Sequence, residues 1–249
     1  MADVNDLAER VAKACRVLAR LELTKAATGH VSARIPGTDR ILIRARGPAE
    51  LGVRYTSVDQ VVECDLDGKI VGPQSAGLAA PLEVFIHTEI YKARPDIFSV
   101  IHMHPPTIML FSICCKPLLP LFGAYDPSSV RLALDGIPQF DRSILINNST
   151  LGAEFATVMG KSKTCMMRGH GITTAGPSVE QAALYAIQLN ELATINYQAH
   201  LLGNPQPISE ADQESMRALR VLESSPKDGA PPTGGEASVW DYFCRFTDA

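Results

Sequence analysis

Residues 98–106 read FSVIHMHPP. Phe98, Val100, Ile101 and Met103 suit a buried strand, and Pro105-Pro106 end it at once, because proline has no N–H to give to a ladder. A strand is therefore predicted over Phe98–His104. Side chains at i and i+2 of a strand share a face. His102 and His104 then project together, roughly 6–7 Å apart along the backbone, and can chelate one ion. The plain alternative is two histidines on a solvent face, or one buried and hydrogen-bonded. The apolar run and its abrupt end argue for a site.

Working outward, Pro81–Lys92 reads as a helix with proline in its first turn and Pro95 just beyond its end. Glu83 interrupts an apolar start, PLEVFI. It either complements the helix N-terminus or serves as a fourth ligand or an acid/base. His87 lies one turn later on the same face and reads as a packing or supporting residue. On the other side, residues 107–115 suggest a helix, Ser143–Ile146 a strand, and Leu151–Met159 a helix stopped by Gly160. Thr164–Met167 reads as a strand entering Arg168-Gly169-His170-Gly171, with Ile172–Thr174 another. The glycines around His170 permit unusual backbone angles and close approach, although a simple turn histidine would look the same. Three imidazoles with an open fourth position are a usual catalytic zinc arrangement.

Val4–Leu21 carries apolar residues at steps of three and four, the mark of a helix with one buried stripe. RILIR, 40–44, reads as a strand, and Val61–Leu66 with Lys69–Val71 as a hairpin turning at Asp67-Gly68. Ser178-Val179-Glu180-Gln181 is a capping-box pattern that opens a long helix to Gly203, and Ser209 caps another to about Leu222. Residues 224–238 read as a linker and Val239–Phe246 as an aromatic tail with the only tryptophan, Trp240. The expected organisation is one domain over 1–223 followed by a flexible linker and tail over 224–249. Gly29-His30-Val31-Ser32-Ala33-Arg34 groups an imidazole, a hydroxyl and a guanidinium after the first helix, and Arg34 or Arg46 could clamp a carboxylate; the plain alternative is a solvated polar loop. Tyr125-Asp126-Pro127 suggests a turn. Interspersed helices and hairpins point to a mixed or antiparallel sheet. No nucleotide-binding glycine motif is present.

A 249-residue chain can build a core without help from a metal. Its net charge of -4 and the lack of a basic stripe argue against nucleic acid. No apolar run reaches the ~20 residues of a membrane span, and the N-terminal helix is too charged for a signal peptide. Six cysteines without a C-x-x-C pair suit reduced thiols and a cytoplasmic setting.

The motifs, taken in order, resemble the class II aldolase/adducin family over roughly residues 5–215. The resemblance rests on Gly29-x-x-Ser32-x-Arg34, Asp65-Leu66-Asp67-Gly68, Glu83 with His87, Ile90-Tyr91-x-x-Arg94-Pro95-Asp96, His102-x-His104-Pro105 and Arg168-x-His170-Gly171. It implies a three-layer α/β/α fold around a mostly antiparallel sheet, and homotetramers with sites between subunits. It also implies one divalent ion, Zn2+ or Mn2+, on His102, His104 and His170, with Glu83 as ligand or acid/base. The family's sugar-phosphate aldolases carry Gly-Asn at the position of Gly29-His30, and Ser-Ser where this chain has Pro81-Leu82. Those polar groups bind phosphate, which proline and leucine side chains cannot.

With Phe122-Gly123-Ala124-Tyr125, the pattern is more similar to the family's decarboxylase branch, which acts on ortho-hydroxylated aromatic or pyridine carboxylates. That likeness implies decarboxylation through a metal-stabilised enolate-like intermediate. Ser32, Arg34, Arg46 and Tyr125 would contact the substrate, and His30 or Glu83 would deliver the proton. The alternatives are a retro-aldolase or epimerase acting on a small carbonyl compound, and a non-catalytic adducin-like interaction module.

Overall fold

A computed structural model describes residues 4–48, 50–72, 77–122, 125–220 and 229–248. The run that opened the sequence reading forms β4 (Ser99–Met103), the central strand of a seven-stranded sheet. On one side lie β1 (His30–Arg34), β2 (Arg40–Arg44) and β3 (Val61–Asp65); on the other lie β7 (Gly171–Gly176), β6 (Thr164–Met167) and β5 (Gln139–Phe140). Every pairing is antiparallel except β5 with β6. The Asp67-Gly68 hairpin is present, its return arm reduced to a bridge between Ile70 and Cys64.

Alternation along the strands splits the apolar residues between two cores. Val31, Ala33, Ile101, Met103 and Ile172 join one core with α1 (Val4–Arg20) and α6 (Val179–Leu202). Ile41, Ile43, Val100, Cys165 and Met167 join the other with α2 (Val84–Ala93) and α5 (Ser149–Met159). The result is the expected three-layer α/β/α arrangement with a mostly antiparallel sheet. Around it lie α3 (Pro106–Ile113), α4 (Pro127–Ala133), α7 (Glu210–Arg220) and α8 (Gly234–Asp248). Among the described residues, no helix is long and apolar enough to cross a membrane. All six cysteines are free.

The structure departs from the sequence reading in four places. Ser143–Ile146 is not a strand; Ile146 is buried, but its N–H goes to the Glu83 carboxylate instead of a ladder. His30–Arg34 is a strand and not a loop. Ser178 does accept the Gln181 N–H at 3.2 Å, but the Gln181 amide turns to Glu236 of α8 instead of closing the box. Of the 224–238 linker, residues 224–228 lie outside the described residues, and the segment from Gly234 is already helix α8, with Trp240 and Cys244 buried against the first core.

Helices α1 and α6 are tied by a fork: Arg10 donates from Nε and Nη2 to the two Glu180 carboxylate oxygens, each at 2.7 Å, and Glu180 is 4% exposed. Breaking a buried pair strands a charge. Glu180→Ala should therefore cost about 3–5 kcal/mol in urea unfolding, and adding Arg10→Met should recover much of it. Unchanged stability of the single variant would remove this tie from the account of the fold.

Candidate metal centre and active site

Three strand ends and one helix start meet on the α2 side of the sheet. Register pairs His102 of β4 with Thr173 of β7, and His104 follows just past the end of β4. His170 stands in the turn from β6 to β7. Gly171 lets that turn close: a Cβ there would strike the Met103 carbonyl oxygen and come within 2.7 Å of the His104 ring. Glu83 occupies the N-cap of α2, yet its carboxylate makes no capping bond. Oε1 accepts the Ile146 N–H at 3.1 Å, while Oε2 lies 3.6 Å from His102 Nε2 and 3.3 Å from His170 Nε2.

Ligand atoms of Glu83, His102, His104 and His170 all lie within 4.8 Å of one another. Donors at ~2.0–2.1 Å from a tetrahedral ion would stand about 3.3 Å apart. The spacings found, 2.9 Å between the two Nε2 atoms of His102 and His104 and 3.3–3.6 Å to the carboxylate, bracket that value. Protonation also fits. A carbonyl can only accept, so His102 carries its proton on Nδ1, donated to Ile172 at 2.9 Å, and Nε2 is left as a lone pair. Burial, with the neighbouring histidines, holds His102 well below the ordinary imidazole value, and burial lowers His104 to about 4. Both are neutral at pH 7, as ligation requires. The four residues thus suit a divalent ion of borderline softness.

His30 stands beside this cluster because β1 pairs it directly with His102, their ring centroids 5.1 Å apart. Gly29 makes the approach possible: its φ is +87°, and a Cβ would lie 2.7 Å from Met103 Sδ and 2.9 Å from Thr24 Oγ1. Behind His30 runs a buried polar chain. His30 Nδ1 lies 2.6 Å from His87 Nε2, His87 Nδ1 lies 2.7 Å from Ser32 Oγ, and Ser32 Oγ lies 2.8 Å from the Tyr91 hydroxyl. Burial lowers His30 well below its usual range and His87 to about 3, the latter opposed by the Val100 carbonyl; it raises the Tyr91 phenol.

The structure therefore gathers Glu83, His102, His104 and His170, with His30 at their side. Ser32 is fully buried, and its hydroxyl is engaged within the chain behind His30. Arg34 lies on the same strand face about 13 Å further along. It donates to the Tyr91 carbonyl at 2.7 Å and the Ile97 carbonyl at 3.2 Å, with its guanidinium over the Tyr91 ring. Neither is presented to the histidine cluster, because β1 is a strand running away from it and not a loop around it. Arg46 is exposed and donates from Nε to Ala80, on the loop that leads to Glu83. Tyr125 is 86% exposed with its ring against Phe122; Gly123 and Ala124 of that motif lie outside the described residues.

Sequence reasoning gave His87 and Tyr91 too little weight. Glu83, His87 and Tyr91 recur every four residues, a polar stripe on one face of an otherwise apolar helix. That stripe was the available signal.

Residues 9–197 match the family described as the class II aldolase and adducin N-terminal domain. The chain belongs to the class II aldolase/adducin family. Over 229 residues it is 40% identical to 3,4-dihydroxyphthalate decarboxylase of Arthrobacter keyseri, covering 91% of this chain and 87% of that protein. It is 37% identical over 213 residues to 3,4-dihydroxyphthalate decarboxylase of a Terrabacter species, covering 85% and 88%. Its fold is similar to that of an aldolase II superfamily protein from Pseudomonas syringae, with a TM-score of 0.84 and 23% identity over all of this chain and 94% of that one.

Proposed function

We propose that this protein is a divalent-metal-dependent decarboxylase of an ortho-hydroxylated aromatic carboxylic acid, of the dihydroxyphthalate kind. The observation that carries this reading is a buried neutral imidazole, His30, held beside a three-histidine, one-carboxylate cluster, in a chain similar to 3,4-dihydroxyphthalate decarboxylases over most of its length. His102, His104 and His170 would hold the ion, with Glu83 as fourth ligand or acid/base. Three imidazoles and a carboxylate suit Zn2+, and Mn2+ is the next choice. When bound, the ion supplies Lewis acidity to the substrate's hydroxyl oxygen and adjacent carboxylate.

The chain's own groups do the rest. The bond from ring carbon to carboxylate breaks, its electron pair enters the ring as an enolate-like species, and CO2 leaves. A proton then replaces CO2, with His30 and Glu83 the groups positioned to manage it. Arg46, exposed on the loop before Glu83, would fork onto a second carboxylate. Ser32 and Arg34 contribute from behind, through His87 and Tyr91. The exposed Tyr125 suits a homotetramer in which it serves a site between subunits. Exposed Leu110 and Ile113 of α3, next to exposed Tyr197 and Leu201 of the contacting α6, would supply apolar surface for that assembly. Six free thiols fit a cytoplasmic setting.

The experiment is CO2 release from hydroxyphthalates and hydroxypyridine dicarboxylates with Zn2+ or Mn2+ added, against sugar phosphates as controls. An ortho-hydroxy acid should lose CO2, and His30→Ala should slow this ~10²-fold or more with metal content unchanged. Pro81 and Leu82 offer no hydroxyl to a phosphate, so sugar phosphates should neither react nor compete. Cleavage of a sugar phosphate into two carbonyl fragments, with no CO2 from any acid, would replace this reading with a retro-aldolase.

A further inference from the structure

The chain of buried groups behind His30 has a direction, set by one backbone donor. Val100 N–H donates to the Tyr91 oxygen at 3.1 Å. The Tyr91 hydroxyl must then give its own proton elsewhere. Ser32 Oγ at 2.8 Å is the near acceptor, and the Phe98 carbonyl at 3.5 Å the far one. Having received that proton, Ser32 donates either to His87 Nδ1 at 2.7 Å or to the Val100 carbonyl at 3.3 Å. The shorter contact again wins, so His87 Nδ1 accepts. His87 is neutral and wholly buried, and its one proton therefore sits on Nε2. The 2.6 Å gap to His30 Nδ1 has room for a single proton, which His87 supplies. His30 then accepts at Nδ1 and carries its own proton on Nε2.

We propose that Tyr91, Ser32 and His87 are positioning residues that lock His30 in the tautomer with its proton on Nε2, so that the site faces a donor and not a lone pair. A neutral imidazole held this way hydrogen-bonds a carboxylate or a developing oxyanion. With its proton on Nε2 it has no lone pair to offer an ion beside His102, His104 and His170, and it does not act as a base from Nε2. The reverse polarity would have His87 donate from Nδ1 to Ser32, and Ser32 then either turn to its longer, 3.3 Å contact with the Val100 carbonyl or donate to Tyr91, whose proton would go to the Phe98 carbonyl at 3.5 Å; each route uses a longer contact than the polarity proposed. Arg34 belongs to the same device. By stacking on Tyr91 and bonding its carbonyl, it fixes the ring at the head of the chain. The effect on turnover rests on the decarboxylase reading; the tautomer does not.

The test is histidine 15N NMR on the Zn2+-loaded protein, with His30 assigned by comparison with His30→Gln. His30 should show a pyrrole-type Nε2 and a pyridine-type Nδ1. Tyr91→Phe keeps the ring volume but removes the proton that starts the chain, and Ser32→Ala removes the donor to His87. Each should shift His30 to a tautomer mixture with Zn2+ content near that of the parent, and Ser32→Thr should restore the parent pattern; Tyr91→Phe should also lower thermal unfolding by a few degrees, because the Val100 N–H loses its acceptor. If a hydroxy acid is turned over, kcat should fall roughly tenfold in Tyr91→Phe with KM little changed. A pyridine-type Nε2 in the parent, or an unchanged tautomer in both Tyr91→Phe and Ser32→Ala, would overturn the proposal. Absence of turnover with the expected spectra would count against the decarboxylase reading alone.

Discussion

His102→Ala, His104→Ala and His170→Ala proteins should each lose bound metal, with affinity down by more than ~100-fold, since altering even the partners of metal ligands costs 10–100-fold. CO2 release should fall to background in all three. The three imidazoles come from a central strand, the residue just beyond it and a turn two strands away in sequence, yet their ligand atoms share one small volume with the Glu83 carboxylate. Burial keeps His102 and His104 uncharged, so neither has a cationic role at neutral pH that its loss would disturb. The fold should survive. Removing His102 leaves the Ile172 carbonyl without its partner, a cost of ~1–3 kcal/mol in a protein with two well-filled cores. His200→Ala is the control: that ring lies on α6 and donates from Nδ1 to the Asn196 carbonyl of its own helix at 2.7 Å, so metal and turnover should be unchanged. Atomic absorption and circular dichroism decide the matter. Full metal stoichiometry in any two of the three variants would dismantle the centre.

Glu83→Gln should reduce turnover ~10²–10⁴-fold with little loss of stability. Glutamine keeps a carbonyl oxygen able to accept the Ile146 N–H, so the contact that seats the side chain persists. What it loses is the negative charge facing His102 and His170 at 3.6 and 3.3 Å. A carboxylate present only to complement the α2 dipole would behave in the opposite way: a small stability loss and normal turnover. The Glu83 carboxylate, although at the N-cap, bonds no N–H of that helix turn. Near-normal turnover in Glu83→Gln would take it off the catalytic list.

Much of this was legible in the sequence because the relevant signals are local. FSVIHMHPP declared a buried strand, its end and two histidines brought together in nine residues, and the Ser178 cap and Gly203 bracketed the longest helix among the described residues. His30–Arg34 failed because the rule that polar stretches are loops meets an exception there. The strand alternates, but its polar face is turned inward to a network of His87 and Tyr91 that lies more than fifty residues away. Ser143–Ile146 failed for the converse reason. Ile146 is buried and Ile144 half-buried, but the one amide that matters goes to a carboxylate and not to a neighbouring strand. That the Arg34 guanidinium meets the Ile97 and Tyr91 carbonyls was not legible, since sequence cannot show which carbonyls a guanidinium will meet.

The direct pairing of His30 with His102 across neighbouring strands sets the proposed proton-handling group beside the proposed metal ligands but on a strand of its own. The metal-ready residues lie between positions 83 and 170, whereas the group beside them arrives on a strand whose own side chains touch none of those ligands by hydrogen bond among the described residues. Exchange at position 30 is thus a change of tool with the vice left in place. A library confined to residues 30, 32 and 87 would sample different proton chemistries over an unaltered centre, which makes this face of the sheet the economical place to redirect the enzyme toward a new leaving group.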